Sequence, residues 1–126
     1  MAVRLTMPND GILRAVFEGD MGRAEIDVFR RDYTAFLQAA TPARPVHMIA
    51  EVSRLGSLSS SARKFLTEIN HDRRTGLIAI LNPPRPARVL AQFINKATGR
   101  NNIQFFNEDQ DAVAWIREHS RRLATA

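Results

Sequence analysis

Val46–Leu66 reads VHMIAEVSRLGSLSSSARKFL, and its interpretation decides the fold. Val46–Val52 is an apolar run of strand length. Three consecutive serines, Ser59–Ser61, follow after a short polar stretch, and an amphipathic pattern carrying Phe65, Leu66 and Ile69 begins straight after them. A strand leading through a serine-rich loop into a helix places hydroxyl groups at a helix N-terminus. There, unpaired N–H groups and the positive end of the helix dipole favour anions.

The neighbouring segments extend the same logic in both directions. Upstream, Val3–Thr6 and Ile12–Phe17 are short apolar runs joined by MPNDG, whose Pro, Asn, Asp and Gly signal a hairpin turn. Asp20 is placed to cap a helix running to about Ala40, with Ile26, Phe29, Tyr33, Phe36, Leu37 and Ala40 on one stripe. Thr41–Pro45 ends it with two prolines. Downstream, Leu77–Leu81 is a continuous apolar run, the pattern of a strand covered on both faces. Asn82-Pro83 reads as a cap and first turn, and Val89, Leu90, Phe93, Ile94 and Ala97 form a stripe closed by Gly99. Ile103–Phe106 is the last strand. Asn107 and Gln110 resemble a capping box for a final helix whose inner face holds Ala112, Ile116 and Leu123.

The order is β-β-α-β-α-β-α-β-α. Single helices between strands require a largely parallel sheet with right-handed crossovers, and the hairpin makes it mixed. The expectation is one α/β sandwich spanning residues 1–126, its sheet covered by four helices.

Composition bounds the function. The chain has 126 residues, 44% of them apolar and 25% charged, which suits one folded domain. No apolar stretch is long enough to cross a bilayer, and the first ten residues lack the apolar segment of a secretory signal. A cytoplasmic location is expected. The absence of cysteine excludes disulfides, thiolate chemistry and cysteine-ligated metal. The net charge of +5 is scattered over many elements, with only Arg117, Arg121 and Arg122 at helical spacing, so the composition argues against nucleic acid as a partner.

No residue set has the spacing of a catalytic centre. His47, His71 and His119 lie in different elements with no carboxylate at ligand spacing, so no metal or other cofactor is expected. There is no Gly-x-Ser-x-Gly elbow and no phosphate-binding glycine fingerprint. Glu51 is the one carboxylate inside an apolar strand pattern, and with no second positioned group it reads as a strand-end carboxylate paired with Arg54 or Arg63. Among Ser59, Ser60 and Ser61, one is expected to cap the helix. A phosphoserine there would meet Arg63 and Lys64 close by in sequence.

The element order and the serine junction together resemble the STAS domains of bacterial anti-sigma-factor antagonists, from Gly11 to about Glu118, and the STAS-like proteins that approach small CRAL-TRIO lipid-binding domains. In the antagonists, a strand ending in an acid or amide leads to Asp-Ser-Ser-Gly at a helix start, the first serine being phosphorylated. Aligned on Glu51 as the supporting carboxylate, this chain offers Ser59-Ser60-Ser61-Ala62, with two of the four positions matching. The resemblance implies Ser60 as the phosphorylatable serine and a non-enzymatic signalling role. It also implies a protein partner, such as an anti-sigma-type kinase, docked through the Ser57–Lys64 loop and helix start. The CRAL-TRIO likeness implies the alternative, a binding protein for a small hydrophobic or lipid-like ligand. Its pocket would lie between the sheet and the Ser59–Asn70 and Pro83–Lys96 helices. Met21, Phe29, Tyr33, Phe36, Phe65, Phe93 and Phe105 are candidates either to line such a pocket or to fill the core. An edge strand or outer helix face offers a route to a homodimer.

Overall fold

The computed structural model describes residues 2–125, with side chains described within residues 3–121. Nine elements follow one another: β1 (Ala2–Thr6), β2 (Leu13–Met21), α1 (Arg23–Leu37), β3 (Val46–Leu58), α2 (Ser60–His71), β4 (Thr75–Leu81), α3 (Arg85–Thr98), β5 (Ile103–Phe106) and α4 (Asp109–Thr125). The five strands form one sheet in sequence order. β1 is antiparallel to β2, and every later pair is parallel. This is the mixed sheet with four helices that the sequence pattern implies.

Stepping through the sheet in one direction with right-handed crossovers puts every crossover helix on the same face. Accordingly α1, α2 and α3 cover one face, through Ile26, Phe29, Tyr33, Phe65, Ile69, Ala91 and Ile94, against Leu13, Ala15, Phe17, Met48, Ala50 and Ile78. α4 lies alone on the other face, where Ala112 and Ile116 pack on Ile12, Ile49, Leu77, Ala79 and Leu81. The alternation along β4 explains its unbroken apolar run: Leu77, Ala79 and Leu81 face α4, while Ile78 faces the other helices. The side chain of Leu123 lies outside the described residues.

Several boundaries differ from the sequence reading. β3 does not stop at Val52: it continues to Leu58, paired with β2 as far as Met21↔Leu58, whereas its pairing with β4 ends at Glu51↔Leu81. Residues 53–58 are therefore strand, in a two-stranded ribbon projecting beyond the other strands. The ribbon depends on Gly56. A side chain there would collide with Asp20 Oδ1, which instead accepts the Ser57 N–H at 2.9 Å. Asp20 thus clamps β3 and does not cap α1, whose N-cap is Gly22 with Glu25 Oε1 accepting the Gly22 N–H at 2.9 Å. These hydrogen bonds from Ser57 hold the Asp20 carboxyl below the ordinary carboxylate range. The N-cap of α3 is Pro84, two residues beyond Asn82, which takes a left-handed φ of 51°. Gly99 ends α3 at φ 65°, as its position implies.

At the opposite end of the sheet, buried polar groups are paired. Asn70, in the last turn of α2, and Asn102, at the start of β5, exchange amide hydrogen bonds: Asn102 Nδ2 donates to Asn70 Oδ1 at 2.7 Å and Asn70 Nδ2 to Asn102 Oδ1 at 3.2 Å. The same amides reach Thr98 Oγ1 and the Gly76 carbonyl. Tyr33 OH and Thr75 Oγ1 lie 2.6 Å apart, and burial raises the phenol to about 12. His47 Nδ1 accepts the Leu77 N–H at 2.9 Å beside the register shift between β3 and β4.

Two measurements test this arrangement. Asn102→Ala leaves Asn70 Oδ1 and the Gly76 backbone carbonyl without this donor, and urea unfolding should show a loss of about 2–5 kcal/mol. For His47, burial lowers the pKa below the ordinary 6.5. The native state then binds the proton less readily than the unfolded chain, so its stabilising contribution is complete above pH 6.5 and declines as pH falls below it. Urea midpoints measured across that range should fall more steeply for the wild type than for His47→Gln.

Candidate functional site

The carboxyl ends of the parallel strands, the N-termini of α2 and α3 and the β2–β3 ribbon meet at one end of the molecule. Ligand crevices in open α/β sheets lie outside this end of the strands. Ser59 is the N-cap of α2: its Oγ accepts the Ala62 N–H at 3.1 Å, and its own N–H donates to the Met21 carbonyl at 3.0 Å. Ser60 is exposed one residue on, with Arg63 Nη2 donating to its Oγ at 3.5 Å. Ser61 is also exposed but turns toward α1, sharing a polar groove with Arg23, Asp27, Arg30 and Glu68. Lys64 borders both that groove and the one between α2 and α3. Three adjacent serines therefore have three different surroundings.

Glu51 is not part of this assembly. It alternates with Ala50 and Val52, which face α1–α3, and so lies on the α4-bearing face, where its Oε1 accepts the Ser53 N–H at 2.9 Å. It shares a shallow polar depression with Arg4, Glu18 and Arg54. Arg54 pairs with Glu18 at 3.9 Å, so the expected pairing of Glu51 with Arg54 or Arg63 is replaced by a bond to its own strand. Among the described residues there is no group of three or more His, Asp or Glu side chains placed to hold a metal ion. No helix among them is long and apolar enough to cross a membrane.

A groove runs between the N-terminal halves of α2 and α3, in the region where the sequence reading places a pocket between the sheet and the Ser59–Asn70 and Pro83–Lys96 helices. One wall is the ribbon and α2, through Leu55, Gly56, Ser57, Leu58, Arg63, Lys64 and Thr67. The other is the start of α3, from Pro84 to Phe93. Below it, a separate cavity of about 90 Å³ is lined almost wholly by apolar side chains from the sheet, α2 and α3. Leu55, Leu58, Ala87 and Leu90 belong to both linings, so the groove and the cavity adjoin across these four side chains.

The outer part of α3 differs from the expected stripe. Its buried residues are Ala87, Ala91, Ile94 and Thr98, whereas Val89 and Phe93 are 56% and 60% exposed at the groove rim. Small residues at four-residue spacing let α3 lie close to the sheet, and that rotates the larger Val89 and Phe93 outward. Of the seven side chains considered as pocket lining, Phe93 alone borders the groove and none lines the cavity. Met21, Phe29, Tyr33 and Phe65 are core, with Phe29 stacked against Phe17, Tyr33 and Phe65. Trp115 is half-buried on α4 between Phe106 and His119.

The electrostatics along the groove are one-sided. α1 and α4 carry acids in their first turns, Glu25 and Asp109 with Asp111, as the helix dipole favours. α2 and α3 have none, and the first turns instead hold Arg63, Arg85 and Arg88, with Lys64 following directly after Arg63. Each cation so placed costs about 0.3–1 kcal/mol at low ionic strength.

The capping role of Ser59 is directly testable. Ser59→Ala removes the acceptor of the Ala62 N–H and should cost about 0.5–2 kcal/mol in chemical denaturation, whereas Ser60→Ala, which frees no buried group, should change stability by less than about 0.5 kcal/mol.

Comparison with known proteins places this arrangement in a family. No curated protein matches the chain in sequence. Among solved structures, the fold is similar to that of an uncharacterised protein from Shewanella loihica with a SpoIIAA-like fold. The TM-score is 0.70 at 17% identity, over 90% of this chain and 91% of that one. It is also similar to the anti-sigma factor antagonist SpoIIAA in its unphosphorylated form, with a TM-score of 0.67 at 17% identity, over 92% of this chain and 98% of that one. The SpoIIAA-like family model matches residues 12–117, nearly the whole chain, and the protein therefore belongs to the SpoIIAA-like family.

Proposed function

We propose that this protein is a non-catalytic regulatory module that docks a protein partner through Ser57–Lys64 and the facing side of α3. The observation that carries the reading is the exposed pair Val89 and Phe93 at one rim of a groove whose other rim holds Ser57, Arg63 and Lys64. An exposed aromatic beside a pocket is a typical binding anchor. The similarity to SpoIIAA, an anti-sigma factor antagonist, supports a signalling role. Ser60 suits phospho-control because it is exposed and its hydroxyl is not the helix cap. A phosphate there would add about −1.5 to −2 charge beside Arg63.

A second reading, a binding protein for a small hydrophobic or lipid-like ligand, is favoured by the apolar cavity beneath the groove. It uses the same surface. Native mass spectrometry of protein purified from its host separates the two: a retained apolar molecule supports the second reading, and a stoichiometric protein partner supports the first.

Tagged protein recovered from its host tests the partner directly. Phe93→Asp should weaken capture of a specific partner roughly thirtyfold, the loss of about 2 kcal/mol typical of an aromatic anchor, while Asp111→Asn on α4 should leave it unchanged. Affinities measured with Ser60 phosphorylated and unmodified test the switch. Equal values would reduce Ser60 to a surface residue, and capture indifferent to Phe93→Asp would place docking elsewhere.

A further inference from the structure

We propose that the groove between α2 and α3 selects a single-chain anionic amphiphile, its tail entering the apolar cavity and its carboxylate or phosphate head held by Arg63, Lys64 and Arg85. The inference rests on the second reading above and adds the charge of the ligand to it.

Size comes first. A cavity of about 90 Å³ is smaller than the roughly 150 Å³ in which an engineered apolar site accommodates benzene, so it cannot enclose a whole ligand. It can take the end of a chain that continues outward past Leu55, Leu58, Ala87 and Leu90 into the groove. A flexible alkyl chain fits this path because its neck and floor are apolar. The Asn70 amide at the cavity wall is already bonded to Thr98 and Asn102 and asks nothing of a ligand.

Charge comes second. The groove is lined by three cations, Arg63, Lys64 and Arg85, and by no carboxylate among the described residues. None of the three forms an ion pair among the described residues, and all three converge on one apolar groove. Beside a low-dielectric apolar floor, three unneutralised cations attract an anionic head more strongly than in open solvent. A neutral head gains nothing from them, and a cationic head is repelled.

The test uses the intact chain and probes of equal tail length: decanoate, decyl phosphate, decan-1-ol and decyltrimethylammonium, titrated calorimetrically and checked by native mass spectrometry. Decanoate and decyl phosphate should bind at least about tenfold more tightly than decan-1-ol, with the cation weakest. The triple variant Arg63→Gln, Lys64→Gln, Arg85→Gln changes only exposed side chains and should erase that preference while retaining decan-1-ol. Leu90→Trp, which fills the neck, should weaken all four. Equal binding of decanoate and decan-1-ol overturns the head-group selection and leaves the apolar site standing, as does a preference that survives the triple variant. Binding of none of the four overturns the apolar reading itself. Binding to vesicles of anionic phospholipid without binding of any monomeric probe also overturns the proposal, in favour of a membrane surface.

Discussion

The reciprocal amide pair of Asn70 and Asn102 is the constraint on which the rest of the molecule depends. Where crossover helices end and parallel strands begin, backbone groups and helix termini converge with little access to water, and unpaired polar groups there are costly. A side-chain amide carries both donors and an acceptor, so two facing amides satisfy each other and still reach further. This pair reaches Thr98 on α3 and the Gly76 carbonyl on β4, while Arg100 donates to the Asn70 carbonyl at 3.0 Å. The C-terminal ends of α2 and α3 are thereby fixed to each other and to the sheet. The groove lies along their other halves, from Arg63 to Thr67 and from Pro84 to Phe93, away from that anchor.

The open end is also where the fold departs from what stability alone would select. A stability optimum would place acids in the first turns of α2 and α3 and turn Phe93 inward. Instead the first turns are cationic and Phe93 is 60% exposed. At α1, by contrast, Glu25 stands beside Arg23 in the first turn, and Phe29 and Tyr33 are completely buried although Val28 is 40% exposed. Two local rules broken along one groove are the pattern expected of a binding surface.

Much of the architecture was legible because hydrophobic periodicity survives in sequence. Leu77–Leu81 reads as a two-sided strand because both faces of β4 are covered, and Gly99 reads as a helix stop because its left-handed backbone needs no Cβ. The extension of β3 was hidden because Arg54, Gly56 and Ser57 carry loop signals. Gly56 is in fact required by close approach to Asp20, a tertiary contact that no local pattern announces. On α3, Val89, Leu90, Phe93 and Ile94 admit two stripes, and size alone points the larger side chains inward. The inner stripe is set by Ala87, Ala91, Ile94 and Thr98, since small residues let the helix lie close to the sheet. The place of the pocket, between the sheet and the α2 and α3 helices, is legible from the element order, whereas its lining is not, because its two walls are these two segments. The role of Asn70 is not legible in sequence, because an amide satisfied 32 residues away leaves no local signature.

The serines show how far position can separate chemically identical residues. Ser59 spends its oxygen on the Ala62 N–H, and Ser61 looks toward α1 and the pair formed by Arg30 and Glu68 at 3.9 Å. Ser60 alone combines exposure with a guanidinium reaching its hydroxyl. That guanidinium, Arg63, also lines the groove, so a charge on Ser60 and an anionic head in the groove would draw on the same cation. A phosphate on Ser60 would therefore oppose occupancy of the groove on electrostatic grounds. The proposed partner docking and the proposed ligand binding would then be two demands on one small set of charges rather than independent properties of two sites.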